Sequence, residues 1–399
     1  MTKIMKVVVF YPYATGEKAF SGGVAKVIVS NIIAVKMNGD EPYMVLPEDN
    51  KGLIEYVKTN HPYCHVIPID MLTVSLYSDI KNKVKRAGMI AHNLYKFATG
   101  KAKLCKVLNE LHPDVIHYHE IICYNLLNSY TKCRVVFHLH SFRFTSYSFI
   151  TGRIYKQINK YADIVISPTG SIKRAVDGNL KNVCIVKTPY LEMGNAGVDT
   201  EKQKVFKAVK TEGKLVFSFV GRICAVKRID NCLKALAYLS QEERAKMKYM
   251  IIGGCNTVGD YDYKKKLEEL VVEYHLEKNV EFVGYVNPVE SILPFIDYGV
   301  MLTESEAMPM VGIEYLKYNI PTIGYDAPGI NDYVVDEVNG FVVRNGDINH
   351  LAEIIKRVVN GVNVPDFNNT IPETYKGYSV EKFAEALKDV YKNGCIAHN

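Results

Sequence analysis

Short, almost uninterrupted apolar runs, each giving way to a loop and then to residues at helical spacing, recur along this chain. Met5 to Phe10 leads through a loop to Gly22 and Gly23 and a helical stretch from Val24 to Val35. Leu215 to Val220 runs into Gly221, after which Ile229, Leu233 and Leu236 keep a helical period. Tyr298 to Thr303 precedes a loop and a helix carrying Ile313 and Leu316. Strands apolar on both faces belong to parallel sheets covered by helices, so the pattern predicts an α/β chain of doubly wound sheets. With 399 residues there is volume for two such domains. The punctuation from Thr188-Pro189 to Gly197 closes a first domain at 1–198, and the polar stretch from Asp199 to Lys214 reads as a linker. A second domain spans 199–379. A final helix over 380–399 places Phe383, Leu387 and Val390 on one face.

Ligands of open α/β sheets bind beyond the carboxyl ends of the strands, so the loops there are the first to inspect. After the third run come Glu306 and Glu314, the first at a loop tip, the second about two turns into the helix. A carboxylate accepts two hydrogen bonds from a vicinal diol, the group that sugars and ribose present. The plainer alternative is a solvated loop glutamate followed by an exposed helical one. After Gly221 come Arg222 and Lys227, a planar fork and a point charge near a helix start, a pairing suited to phosphate oxygens; the alternative is two surface cations. Gly22 and Gly23 leave room for a diphosphate against helix amides, although they form neither a dinucleotide fingerprint nor a Walker motif. His117 with His119, and His138 with His140, are strand-spaced pairs, each on one strand face. No carboxylate or cysteine accompanies them at a metal-ligand spacing, so no metal site is expected. Asp260-Tyr261-Asp262 reads as helix capping away from the phosphate site.

Taken together, these residues resemble the retaining glycosyltransferases of family 4. The resemblance covers nearly the whole chain and is strongest from Val216 to Val343. It includes the Gly22-Gly23 loop, Asp114 to Glu120, Phe137 to Ser141, Gly221-Arg222 to Lys227, Phe282 to Tyr285, the spaced glutamates and Asn339 to Val343. It implies the GT-B architecture, two facing Rossmann-like domains with a C-terminal helix crossing back, the second domain holding a nucleotide sugar and the first the acceptor. By the same resemblance Arg222 and Lys227 grip the donor diphosphate and Glu314 the ribose. Glu306, with the amides of Met308, Met310 and Val311 around Pro309, takes hydroxyls of the transferred sugar. Gly22 or Gly23 faces the phosphates, His140 lies near the reacting sugar, and Gly284 with Tyr285 contacts the base. The expected activity is metal-independent transfer of a hexosyl unit with retained configuration, from a UDP-sugar ahead of a GDP-sugar, to a glycan or lipid-linked acceptor. The chain departs from the family where Glu-Gly-Phe-Gly is frequent, having Glu306-Ala307-Met308-Pro309, and where Gly-Gly-x-x-Glu is frequent, having Pro328-Gly329-Ile330-Asn331-Asp332. Two rival functions stay open: a nucleotide-sugar 2-epimerase, and a non-catalytic partner of another transferase.

The net charge of +6 conceals an asymmetry, because residues 1–200 hold 25 of the 49 Lys and Arg against 15 of the 43 Asp and Glu. No acidic residue falls between Asp79 and Glu110, while Lys81, Lys83, Lys85, Arg86, Lys96, Lys101, Lys103 and Lys106 do, with apolar residues between them. Such a surface suits an anionic membrane or acceptor, each cation contributing about 1 kcal/mol near an anionic leaflet. Nucleic acid is not expected, since no aromatic-studded binding fold goes with the charge. Nine scattered cysteines without a CxxC read as reduced thiols, and no signal peptide or spanning run is evident. The expected setting is cytoplasmic, with peripheral docking at the inner face of the cell membrane.

Overall fold

The computed structural model describes residues 3–12, 23–71, 99–119, 132–140, 149–192 and 198–394. The chain divides into two compact units, Met1–Leu191 with Ser379–Asn399, and Glu192–Tyr378. The first holds seven strands: β1 (Lys6–Phe10), β2 (Glu41–Pro47), β3 (His65–Ile69), β4 (Val115–His119), β5 (Arg134–His138), β6 (Ile164–Ser167) and β7 (Val183–Ile185). They form one sheet in the order β3-β2-β1-β4-β5-β6-β7, every pair parallel. Strand order reverses between β1 and β4, which makes that edge the switch point of the sheet. Val7, Val8, Val9 and Phe10 are all buried, as a strand covered on both faces requires.

Two helices cover one region of this sheet. Gly23–Met37 is buried along most of its length, and Val380–Asn393 packs against it, bringing the C-terminal segment into the first unit. Phe383, Leu387, Val390 and Tyr391 join Val7, Ala34, Val35, Val115 and Val136 in one apolar cluster. Full burial of each such side chain contributes about 1.5–3 kcal/mol. The helix is also fixed by polar contacts. Ser379 caps its start by accepting the Lys382 N–H at 3.2 Å, and Arg134 donates to the carbonyls of Val390 and Tyr391 at 3.3 and 2.5 Å. Those carbonyls belong to the last turn, where no intrahelical donor exists.

The second unit carries β8 (Leu215–Val220), β9 (Met247–Ile252), β10 (Val280–Gly284), β11 (Tyr298–Met301), β12 (Thr322–Tyr325) and β13 (Gly340–Val343). Their order is β10-β9-β8-β11-β12-β13, again all parallel, the order of a dinucleotide-binding doubly wound sheet. Its switch point lies between β8 and β11, paired through Phe217 with Tyr298 and Ser218 with Gly299.

Two local expectations are corrected. The polar segment that begins at Asp199 is no linker, since Thr200–Thr211 is a helix whose first turn Asp199 caps by accepting the Lys202 N–H at 3.1 Å. Only Phe206 and Val209 of it are buried, a face too narrow to mark the helix by composition. The helix after β11 is Met310–Lys317, so Glu314 lies little more than one turn in. In the basic stretch, Lys103 and Lys106 reach Asp70 at 3.1 Å and Glu110 at 3.9 Å, both as solvent-exposed pairs. Lys81, Lys83, Lys85, Arg86 and Lys96 lie outside the described residues. All seven cysteines among the described residues are free, and burial pushes the Cys64 and Cys232 thiols up to about 12. Among the described residues no helix is long and apolar enough to cross a membrane.

Candidate active site

In the second unit the loops after β8 and β11 lie side by side at the switch point. Thr303 Oγ1 reaches the Val226 carbonyl at 3.4 Å and the Ser305 carbonyl at 3.1 Å, and the Glu304 N–H donates to Val226 at 3.3 Å. This brings together two residues read separately from the sequence: the Lys227 ammonium pairs with the Glu306 carboxylate. Both side chains are largely withdrawn from solvent, 20% and 26% exposed, so the pair is less screened than a surface ion pair. Next to it Arg228, in the left-handed region at φ 49°, pairs with Glu304. Neither Arg228 nor Glu304 carried a sequence signal beyond its charge.

Glu306 is set in place by backbone. Its N–H donates to the Pro328 carbonyl at 2.9 Å, and Gly329, at φ +87°, lies so close that a Cβ there would fall 1.6 Å from the Glu306 carbonyl oxygen. Only glycine permits that approach. The stretch Pro328-Gly329 thus supports the glutamate, whatever Asp332 contributes. Pro309 is the N-cap of the helix Met310–Lys317 and offers no side-chain cap. The first amides of a helix have no partner within it, and they lean towards negative or hydroxylic ligands. Met308, Met310 and Val311 are half-buried around this start. Glu314, on the same helix, is 6% exposed, which removes the exposed-helix alternative for it.

Arg222 follows Gly221 and is half-exposed, its guanidinium 3.9 Å from the Asp260 carboxylate. Asp260 is therefore beside the candidate phosphate site, where the sequence placed it elsewhere. The reason is a close backbone approach: a Cβ on Gly253, at φ +141°, would fall 1.8 Å from the Gly221 carbonyl oxygen. That contact draws the loop after β9 onto the loop after β8. The capping expectation itself is met, for Thr257 and Asp260 form a reciprocal capping box at the start of Val258–Glu273. Burial pushes the Asp260 carboxyl up, but the amides of Asn256 and Thr257 and nearby Arg222 outweigh it and hold the group below its ordinary value. Gly284 ends β10 at φ +80° and accepts the Gly253 N–H at 2.9 Å, which sets it in the same row of loops. Tyr285, which follows it, is 62% exposed.

In the first unit Gly23 opens its helix after β1, while Gly22 lies outside the described residues. The four histidines come together at the ends of β4 and β5. His117 Nε2 is 3.3 Å from His138 Nδ1, and His119 Nδ1 is 2.9 Å from His140 Nε2. The pairs stack, His117 on His119 and His138 on His140, each with centroids 4.4 Å apart. Burial, then the neighbouring imidazoles, holds His117, His119 and His138 well below the ordinary histidine range, and burial lowers His140 to about 3. All four rings are neutral at physiological pH. Asn31 and Tyr391, which also reach this group, were not singled out by the sequence.

Comparison with known proteins places this geometry in a class. Residues 200–369 match the family described as Glycosyl transferases group 1, a span that contains Arg222, Lys227, Glu306 and Glu314. The crystal structure of the Anabaena HepE protein in complex with UDP-glucose superposes with a TM-score of 0.71 at 17% identity, over 97% of this chain and 99% of that one. The fold is GT-B, and the family match lies within the second unit. Among sequence relatives, the poly(ribitol-phosphate) alpha-N-acetylglucosaminyltransferase of Staphylococcus aureus is 24% identical over 45% of this chain. The match spans about a third of that relative's length, 35%. The UDP-Gal:alpha-D-GlcNAc-diphosphoundecaprenol alpha-1,3-galactosyltransferase of Escherichia coli is 23% identical over 75% of this chain and 80% of its own.

Proposed function

We propose that the protein is a retaining, metal-independent glycosyltransferase of family 4 that moves a hexosyl unit from a UDP-sugar to a glycan or lipid-linked acceptor. The observation that carries the reading is the Lys227–Glu306 pair at the β8/β11 switch point, with Arg222 in the same loop after β8 as Lys227. A diphosphate there meets two cations, and the sugar beside it meets a carboxylate already seated by Pro328 and Gly329. As the glycosidic bond to the donor phosphate breaks, charge grows on the departing nucleoside diphosphate, and Arg222 with Lys227 offsets it. The acceptor hydroxyl attacks the same face of the oxocarbenium-like centre and passes its proton to the departing phosphate. No protein carboxylate is required as a covalent nucleophile. Glu314 holds the ribose from its buried place on the helix, and Tyr285 with Gly284 borders the base.

The first unit takes the acceptor, to which neutral His140 offers a hydrogen bond rather than serving as general acid. UDP is the proposed donor nucleotide because a UDP-sugar donor is named for the E. coli relative and for the Anabaena complex. The lipid-linked acceptor of that E. coli relative supports an acceptor at a membrane surface, with Lys101, Lys103 and Lys106 in the docking region. Thermal unfolding with UDP, GDP, ADP and CDP, each in EDTA, tests the proposal. At about a hundred times its dissociation constant a nucleotide adds about 2.7 kcal/mol of stability. UDP should raise the midpoint with EDTA present. Silence towards all four would remove the donor assignment and favour a non-catalytic partner.

A further inference from the structure

In the loop after β8, Arg228 stands between the tight turn Ala225–Lys227 and the helix Ile229–Ala237, at φ 49° and ψ 37°, in the left-handed region. An L side chain is crowded there, and glycine, or a short polar residue such as asparagine, is the usual occupant. The conformation is imposed from both sides. Before it, the Arg228 N–H donates to the Ala225 carbonyl at 3.1 Å and the Lys227 N–H to the Cys224 carbonyl at 3.0 Å. After it, the Asp230 N–H donates to Tyr263 Oη at 3.1 Å, the same hydroxyl donates to Asp230 Oδ1 at 2.8 Å, and the Asn231 amide donates to Tyr325 Oη at 2.8 Å. A long cation held in strained backbone, where glycine would fit without strain, is a pointer to a role for its side chain. That side chain makes two donations to one oxygen: Nε to Glu304 Oε1 at 2.8 Å, and Nη2 to the same atom.

We propose that Arg228 is a positioning residue for Lys227, its guanidinium clamped on Glu304 so that the loops after β8 and β11 hold the Lys227 ammonium against the Glu306 carboxylate. Arg228 adjoins Lys227, and Glu304 stands two residues before Glu306, so the clamp and the site pair are rungs between the same two segments. The remaining rungs are the Glu304 N–H at 3.3 Å and Thr303 Oγ1 at 3.4 Å, both on the Val226 carbonyl. Two long contacts that end on one oxygen leave the segments free to turn about it, and the Arg228–Glu304 clamp, two residues further along, opposes that turn. The clamp is 42% and 43% exposed, so it adds little to stability. Its effect is on where Lys227 points. The value of that placement for donor binding rests on the functional reading given above; the placement itself does not.

Two readouts on the full-length protein test this: the affinity for UDP in EDTA by titration calorimetry, and the rate at which acetic anhydride acetylates the Lys227 amine, read by mass spectrometry against exposed Lys265. An amine paired with a carboxylate and 20% exposed reacts slowly, and one released from that pair reacts faster. Arg228→Gly keeps the turn, since glycine enters the left-handed region freely, and Glu304→Gln keeps an acceptor oxygen without the charge. Each should weaken UDP binding and speed Lys227 acetylation by about two- to fivefold, the range an exposed pair permits. The double variant should be no worse than Arg228→Gly alone, because both substitutions act through one contact. Charge by itself predicts the opposite sign for Glu304→Gln, since removing an anion beside a diphosphate site would tighten UDP. Both side chains lie at the surface, so the variants keep the core, and unfolding midpoints close to that of the unsubstituted protein check it. Unchanged Lys227 acetylation in the two folded variants overturns the proposal, as does tighter UDP binding in Glu304→Gln, or effects that multiply in the double variant. If the unsubstituted protein ignores UDP while the acetylation changes are as expected, the functional reading fails and the role of Arg228 stands.

Discussion

Lowering the pH from about 7.5 to about 5.5 should destabilise the first unit selectively, and the size follows from its histidines. His117, His119 and His138 are 0% exposed, and burial followed by their mutual proximity holds them neutral when folded. Unfolded, each takes up a proton with a midpoint near 6.5. The folded-state values are depressed bases, so the unfolded chain binds more protons at low pH. Stability is therefore fully present above about pH 6.5 and is lost as the pH falls below it. At about pH 5.5 each unfolded ring is about nine-tenths protonated, which gives an uptake of about 2.7 protons and a slope of about 3.7 kcal/mol per pH unit. The accumulated loss between about pH 7.5 and about pH 5.5 is about 4 kcal/mol, a large part of a usual domain stability of about 5–15 kcal/mol. His140, partly exposed, acts in the same direction and is left out of that figure. The second unit provides the internal reference, since both of its histidines, His275 and His350, are exposed. The chain has no tryptophan, so urea unfolding would be followed by far-ultraviolet circular dichroism and tyrosine fluorescence at a series of pH values. His138→Leu removes the ring whose Nε2 has no hydrogen-bond partner and should reduce the slope by about a third. A slope worth less than about one proton would refute the reasoning, because it would mean that the rings charge inside the folded protein.

Arg222→Ala and Lys227→Ala should each lower kcat by about a hundredfold or more, the cost of removing a charge-stabilising donor from a transition state, while Glu314→Ala should mainly raise the donor KM. Transfer rates equal to the unsubstituted enzyme in either cation variant would remove the phosphate assignment. Gly329→Ala should displace Glu306, because the new Cβ would fall 1.6 Å from its carbonyl oxygen at a φ of +87°. About 1–3 kcal/mol of strain and a weakened response to UDP-sugar, read by thermal unfolding and titration, are expected, and an unchanged affinity would show that the loop does not position the glutamate.

How far the site was legible depended on whether its partners are neighbours along one strand-to-helix turn. Gly221, Arg222 and Lys227 follow β8 within seven residues, so an apolar run, a glycine and two cations identified them without tertiary information. Glu306 was legible for the same reason, after β11. Asp260 was placed away from Arg222 because their proximity depends on β9 lying next to β8 and on Gly253 riding against Gly221, neither of which has a local signature. The helix Thr200–Thr211 was read as a linker because burial of Phe206 and Val209 alone leaves its composition that of a solvated segment.

The histidines show the boundary most sharply. Period two along β4 and β5 put His117 with His119 and His138 with His140, but a strand pattern says nothing of which ring faces which across the sheet. The register that aligns His117 with Val136 and His119 with His138 makes four side chains one group. Two residues remote in sequence, Asn31 on the first helix and Tyr391 on the last, also reach the group and are joined to each other by a hydrogen bond across 360 positions. The C-terminal helix is consequently more than an apolar cover: one face buries Phe383, Leu387 and Val390, and its last turn supplies the hydroxyl that reaches Asn31 and His117. A truncation before Tyr391 would thus remove core packing and the polar contacts of Tyr391 together, whereas Tyr391→Phe removes only the latter.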